Sequence, residues 1–296
     1  MRLRVLDLDG SVAGQPPFHA AIQSGDAQLI DLRAEGPALR LWGGNRAMDR
    51  LKQKLSGLEP PPGKGPDVTF YGSGDFHHLV WAMIAAASFQ AVTVIHFDNH
   101  PDWVRWPPRW HCGSWVNRVL ELPNVAKVIT LGPCGHDLTN PRFKGANLKA
   151  LEQGRLEIYP WRHEPSDLGR GRSIAWEQLE GCDWPAFLDR MIAALPTESV
   201  WITIDKDVLG RPDAVTNWDQ GEMPLDHILL ALRKLAAAKR LLGVDVCGEF
   251  APPRFKGLLK TFSARLDQPR TKEQPDLSRN ERSNARLLDC LREVTA

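Results

Sequence analysis

The chain has 296 residues and a mass of 33.1 kDa, with 37 basic against 36 acidic side chains and a formal charge of +1. Apolar residues make up 43% and charged residues 25%, which is ordinary globular composition. That balance excludes the clustered basic charge of a nucleic-acid binder, and no apolar run approaches the ~18 residues that span a bilayer.

Segment 1–10 opens on a strand-like apolar run and lacks the cationic start and small-residue cleavage site of a signal peptide. Strands are expected at 4–8 and 27–32, then a helix over 45–55 and a strand over 67–71. A helix over 78–89, a strand over 91–97, a helix over 114–120 and strands over 125–131 and 156–159 follow. Residues 168–173 read as a surface loop, followed by a helix over 184–195 and a strand over 200–204. Leu225, Ile228, Leu229, Leu232 and Leu235 form the apolar stripe of a helix over 225–238, ahead of a strand over 242–246. Several strands are unbroken apolar runs, as parallel strands covered on both faces are, and the alternation with helices predicts a doubly wound α/β sheet in one domain, 1–264. Residues 265–296 read as a polar connection over 265–282, with Pro269 and Pro275, and a helix over 284–294 that packs on the domain or on a neighbouring subunit. The five cysteines (Cys112, Cys134, Cys182, Cys247, Cys290) show no CxxC spacing, so reduced thiols and a cytoplasmic location are expected.

Five of the nine histidines fall between positions 77 and 111. Functional groups of open α/β sheets collect beyond the carboxyl ends of strands. Four such junctions carry polar residues: Gly72–His78 (GSGDFHH), His96–Asp102 (HFDNHPD), Asp205-Lys206-Asp207, and Gly248–Pro252 (GEFAP). Asp98, His100 and Asp102 are spaced two apart, as are Asp205 and Asp207, so extended backbone aims each set to one side. Four carboxylates converging on one crevice repel one another unless a cation intervenes. A pair of divalent ions removes the conflict, and an oxygen-rich site with imidazoles and no thiolate suits Mn2+ ahead of Zn2+ or Fe2+.

These pieces resemble the arginase/agmatinase (ureohydrolase) superfamily. Asp98-Asn-His-Pro-Asp102 is similar to the family's Asp-Ala-His-x-Asp motif, and Asp205-Lys-Asp207 to its Asp-x-Asp. Gly74-Asp75, followed by His77, resembles Gly-Gly-Asp-His, and Gly243–Glu249 resembles the strand ending in Glu-x-Asn-Pro. The resemblance spans about residues 67–253. It implies a three-layer α/β/α fold with an eight-stranded parallel sheet and a binuclear manganese centre. The ligands it implies are His77, Asp98, His100, Asp102, Asp205 and Asp207, with Asp98 and Asp205 bridging. A hydroxide between the ions would attack a planar carbon bearing nitrogen in a guanidino- or amidino-type small molecule, cleaving a non-peptide C–N bond. Glu249 would pair with the guanidinium, and His111 would carry a proton to the leaving amine. Homo-oligomers are also common in that family.

Departures are visible. Phe76 separates Asp75 from the histidines, which leaves His77 or His78 as the ligand. The family's Gly-Asn-x-His-Gly loop is replaced by Trp110–Trp115 (WHCGSW), and Glu249-Phe-Ala-Pro252 lacks the Asn. Asn217, Asp219 and Gln220 lie where the family has a substrate loop; they either bind a cationic or amide-bearing substrate or satisfy their own turn. Trp103, Trp106, Trp110 and Trp115 either wall the pocket or pack the loop. Two other readings compete: a deacetylase-like amidohydrolase of the same fold with one zinc, and a metal-binding homologue without catalysis.

Overall fold

The computed structural model describes residues 1–58, 65–87, 91–268 and 275–296. Eight strands form its main sheet: β1 (Arg2–Asp7), β2 (Ala27–Asp31), β3 (Asp67–Tyr71), β4 (Val92–Phe97), β5 (Val125–Leu131), β6 (Leu156–Tyr159), β7 (Ser199–Asp205) and β8 (Arg240–Cys247). All are parallel, in the order β2-β1-β3-β8-β7-β4-β5-β6. Each expected strand lies within two residues of an observed one.

Both faces of the sheet are covered. On β4, Ile95 and Phe97 enter one apolar cluster while Val92 and Val94 enter the other; on β7, Ile202 and Ile204 oppose Trp201 in the same way. Alternation with both sides buried is why these strands read as continuous apolar runs. The first cluster is closed by α1 (Pro16–Ser24), α5 (Trp184–Ala193), α6 (Leu225–Ala238) and α8 (Ser278–Thr295), through Phe18, Phe187, Leu232 and Leu287. The second is closed by α2 (Asn45–Ser56), α3 (Val80–Ala86) and α4 (Trp115–Leu120), through Met48, Met83 and Val116. The result is a three-layer α/β/α arrangement. Of the remaining helices, α7 (Leu258–Asp267) leaves Leu258, Leu259, Phe262 and Leu266 exposed.

Several expectations change. The helix expected from residue 78 begins as a tight 3-10 turn, Gly74–Leu79, before α3; residues 88 and 89 lie outside the described residues. The expected loop over 168–173 is a small antiparallel hairpin, Ser166–Gly169 with Arg172–Ile174, turned by Arg170 and Gly171 at φ 57° and 72°. Residues 278–282 of the expected connection are the first turns of α8, and 269–274 lie outside the described residues. Asn280, Ser283 and Asn284 are buried there, so polar residues do the packing that an apolar stripe normally does.

Candidate metal centre

Strands β3, β8, β7 and β4 are neighbours, and their carboxyl ends carry the four polar junctions to one place. The 3-10 turn after β3 directs His77 inward, where it is 1% exposed. Its Nε2 lies 2.9 Å from Thr203 Oγ1, and the Thr203 hydroxyl donates to Asp245 Oδ1 at 2.8 Å. With its hydroxyl proton committed to Asp245, Thr203 accepts from His77 Nε2–H. That leaves Nδ1 as the lone-pair nitrogen. Nδ1 has no hydrogen-bond partner and faces Asp98 Oδ2 at 3.0 Å, Asp102 Oδ2 at 3.3 Å and Asp205 Oδ2 at 3.6 Å. A lone pair surrounded by buried carboxylate oxygens requires a positive species between them, a proton or a metal cation.

A second group stands beside the first and shares Asp98. His100 Nδ1 lies 3.0 Å from Asp207 Oδ2 and 3.4 Å from Asp98 Oδ1, while its Nε2 meets Asp219 Oδ1 at 2.9 Å. Asp98 thus turns one oxygen to each histidine. All six residues are buried or nearly so, and their donors are oxygen and imidazole nitrogen, a set suited to hard or borderline divalent ions.

The charges follow from this crowding. Burial first, then the Asp98 charge, raises Asp102 to about 7 and Asp205 to about 6; burial and then Asp205 push Asp207 well above its usual range. Burial would lower His77 and His100, yet the facing carboxylates outweigh it and raise both well above 6.5. Protons therefore hold the place in the bare chain that a cation would take.

Further residues orient these side chains. The Trp115 indole donates to Asp102 Oδ2 at 2.5 Å. His96, lowered by burial to about 4, is neutral; its Nε2–H faces Asp98 Oδ2 at 2.9 Å, while Nδ1 lies 3.0 Å from Thr130 Oγ1. Asp245 collects donors from Trp201 at 2.6 Å and Tyr71 at 2.9 Å besides Thr203. Such outer partners fix tautomer and orientation. Thr203, Asp245 and Thr130 were not singled out from the sequence, and Trp115 was expected only as a pocket wall or loop packing. Two glycines make room for Asp205: a Cβ on Gly74 would lie 2.4 Å from its Oδ2, and one on Gly248 2.3 Å from its Oδ1. Asp102 itself sits at φ 45°, in the left-handed region.

The remaining candidates divide. A cavity of about 660 Å3 opens over the cluster, lined among others by His111, Cys112, Lys144, Trp218, Asp219 and Gln268. His78 stays outside the cluster, with both ring nitrogens buried and unpartnered. His111 accepts from Gly113 N–H through Nδ1 at 3.0 Å, so its Nε2 bears the proton. Burial, aided by the Lys260 ammonium, lowers His111 to about 4, which removes the near-neutral titration expected of a proton carrier.

Glu249 departs from the guanidinium-facing position implied by the resemblance. Its carboxylate is buried against Lys206, Asn280 and Asn284 and does not line the cavity. Asn217 bonds both ways to the Ala251 backbone, at 2.9 and 3.0 Å, and Gln220 donates to Leu209 O at 2.9 Å. Both side chains are spent on backbone groups, Asn217's in the 248–252 junction, and lie off the cavity, whereas Asp219 lines it. Of the tryptophans, Trp103 lines the cavity, Trp115 orients a ligand, Trp110 packs on Trp81, and Trp106 is exposed.

No protein-family model matches the chain. An uncharacterized protein of Thermotoga maritima is 28% identical over 206 residues, covering 69% of this chain and 67% of that one. Among solved structures, the Entamoeba histolytica arginase in complex with L-ornithine is similar with a TM-score of 0.64 at 11% identity, covering 98% of this chain and 99% of that one. Formimidoylglutamase from Bacillus subtilis gives a TM-score of 0.62 at 14% identity, over 98% and 86% of the two chains. Proclavaminate amidinohydrolase from Streptomyces clavuligerus gives 0.57 at 18%, over 89% and 87%. The chain therefore has the arginase-like α/β fold.

Proposed function

We propose that the protein is a divergent, metal-dependent hydrolase of the ureohydrolase type, cleaving a non-peptide C–N bond at a planar carbon of a small molecule. The observation that carries this reading is the His77 Nδ1 lone pair facing three buried carboxylates, next to a second histidine–carboxylate group that shares Asp98. His77, Asp98, Asp102 and Asp205 would hold one ion, and Asp98, His100, Asp205 and Asp207 the other, with Mn2+ the expected metal. When bound, such a pair supplies Lewis acidity and a water made nucleophilic near neutral pH. The chain's own residues do the rest. Thr203 and Asp219 hold the imidazole tautomers, Trp115 and His96 hold the carboxylates, and His111 offers a neutral Nε2–H donor in the cavity wall.

The test is to strip the protein with a chelator, titrate Mn2+, Zn2+ and Fe2+, and screen guanidino, ureido and amide compounds for released urea, ammonia or amine. Two ions per chain and one product class support the proposal. One tightly held zinc favours the deacetylase-like reading, and two ions without product from any class favour a binding protein. A reducing, cytoplasmic location is proposed on the five free cysteines. No helix among the described residues is long and apolar enough to cross a membrane. Association of further copies is proposed on the exposed apolar face of α7; a mass above that of one chain, lowered by Phe262→Lys, is the expected light-scattering result.

A further inference from the structure

Asp205 and Asp207 are held in place by different means. Asp205 is the last residue of β7, its Cα paired with that of Cys247 on β8, and its carboxylate is boxed between Gly74 and Gly248. Asp207 lies beyond the ladder, in a single 3-10 turn over Lys206–Val208. Its backbone N–H donates to Asp205 Oδ1 at 3.1 Å, and its carbonyl accepts from Gly221 N–H at 2.5 Å. Asn99 N–H donates to its Oδ1 at 3.0 Å, which leaves Oδ2 to face His100 Nδ1 at 3.0 Å.

The residue between the two carboxylates fastens the turn from the other side. Lys206 is fully buried, and its ammonium donates to Glu249 Oε1 and, at 3.1 Å, to Asn284 Oδ1. Glu249 stands just past the end of β8. Its Oε1 also accepts from Asn284 Nδ2 at 2.6 Å, and its Oε2 accepts from Asn280 Nδ2 at 2.8 Å. Asn284 Nδ2 is shared in turn with Gln15 Oε1 at 2.8 Å. One ammonium thus ties the turn to the end of β8 and to the first turns of α8. Well-packed apolar side chains of similar volume would serve stability as well, because both charges must leave water to form the pair. Charged hydrogen bonds supply direction instead: they fix Nζ at one point and with it the backbone that carries Asp207.

Resting on the reading of the cluster as a two-ion centre, we propose that Lys206 and Glu249 are positioning residues for Asp207, and that they set the affinity of the ion which Asp207 shares with His100. Glu249 then serves the centre through the turn, from outside the cavity. The effect is selective, since the sheet itself places Asp205, and the ion beside His77 does not draw on Asp207.

The experiment titrates Mn2+ by calorimetry into the chelator-stripped protein, with the wild type, Lys206→Met/Glu249→Gln and Asp207→Asn side by side. The paired substitution removes both charges together, so neither is left buried alone. Asp207→Asn marks which of the two ions Asp207 holds. That ion should bind about tenfold more weakly in the paired variant, while the other keeps its wild-type affinity. Electron paramagnetic resonance gives a second readout: the spectrum of two coupled Mn2+ ions in the wild type should give way to that of isolated ions at the same loading. General loosening of the fold would weaken both ions alike. That result overturns the inference, as does unchanged affinity or a spectrum that stays coupled. A wild-type chain that takes up fewer than two ions overturns the two-ion reading and the inference with it. Should the paired variant not fold, Asn284→Ala decides, because it frees Lys206 from α8 and keeps both charges. The marked ion should then bind about threefold more weakly, and equal affinity overturns the inference.

Discussion

His77 takes its chemistry from a residue two bonds away. Asp245, held by Tyr71 and Trp201, draws the Thr203 hydroxyl proton, and Thr203 in turn fixes which nitrogen of His77 bears hydrogen. Thr203→Val removes that acceptor without changing side-chain shape much, so the imidazole loses its enforced tautomer. Mn2+ affinity should fall ~10–100-fold, read by metal titration, and Thr203→Ser should restore most of it. Equal affinity in the valine variant would show that the tautomer is set elsewhere. Gly74→Ala should also weaken metal binding, because its methyl would meet Asp205 Oδ2 at 2.4 Å; affinity measured on the folded variant decides. The clustered histidines and carboxylates proposed as ligands were legible because spacing within one strand end is a property of local sequence. Thr203 and Asp245 were not, because they become neighbours only through the β7–β8 register, which pairs their Cα atoms. Strand order lies outside what local pattern records.

Helix α8 shows the same limit one level up. Its later part, with Leu287, Leu288 and Leu291 buried, follows the apolar period and was readable from it. Its first turns carry Ser, Arg, Asn and Glu and read as a connection. The buried members there answer a buried charge: Asn280 and Asn284 donate to Glu249, and Asn280 also exchanges hydrogen bonds with Val215 N and O at 2.7 and 2.9 Å. Hydropathy cannot report a polar residue whose partner is another buried polar residue. Asn280→Ala leaves Glu249 and the Val215 backbone short of partners, and should cost ~1–3 kcal/mol in a denaturant titration. Leu287→Ala, which leaves a cavity in the cluster where α8 packs beside α6 and α1, should cost ~2–5 kcal/mol. A loss from Asn280→Ala within error of zero would mean that water replaces the amide. The eight strands, by contrast, were legible almost in full, since both their length and their unbroken apolar character follow from burial on two faces.

At the scale of the whole molecule, the centre makes stability depend on pH. Up to about pH 7.5 His78, His96 and His111 work the other way, because burial keeps them neutral in the fold while an unfolded imidazole still holds part of a proton around 6.5. Above that, the groups raised in the fold outnumber those lowered: Asp102 reaches about 7, and Asp207, His77 and His100 stand well above their usual values, against Lys260, which burial lowers to about 8. The folded state then binds more protons than the unfolded one, so stability falls as pH rises. The metal-free protein should lose melting temperature between pH 7.5 and 8.5. A cation that binds only the folded state adds about 4 kcal/mol at a thousandfold excess over Kd, and its effect should be larger at pH 8.5, where it no longer competes with protons. A melting temperature in EDTA that rises over this range would contradict the assignment.

The link from Lys206 to Asn284 also fixes an order of events. The two residues are 78 positions apart, and Asn284 follows every ligand of the centre in the chain. During synthesis the loop bearing Asp205 and Asp207 emerges long before the asparagines that clamp its lysine. Ligand assembly and the locking of that loop are thus separated in time. A nascent chain can gather its carboxylates well before its clamp exists, so the step that commits the loop to one geometry waits until Asn280 and Asn284 have been made.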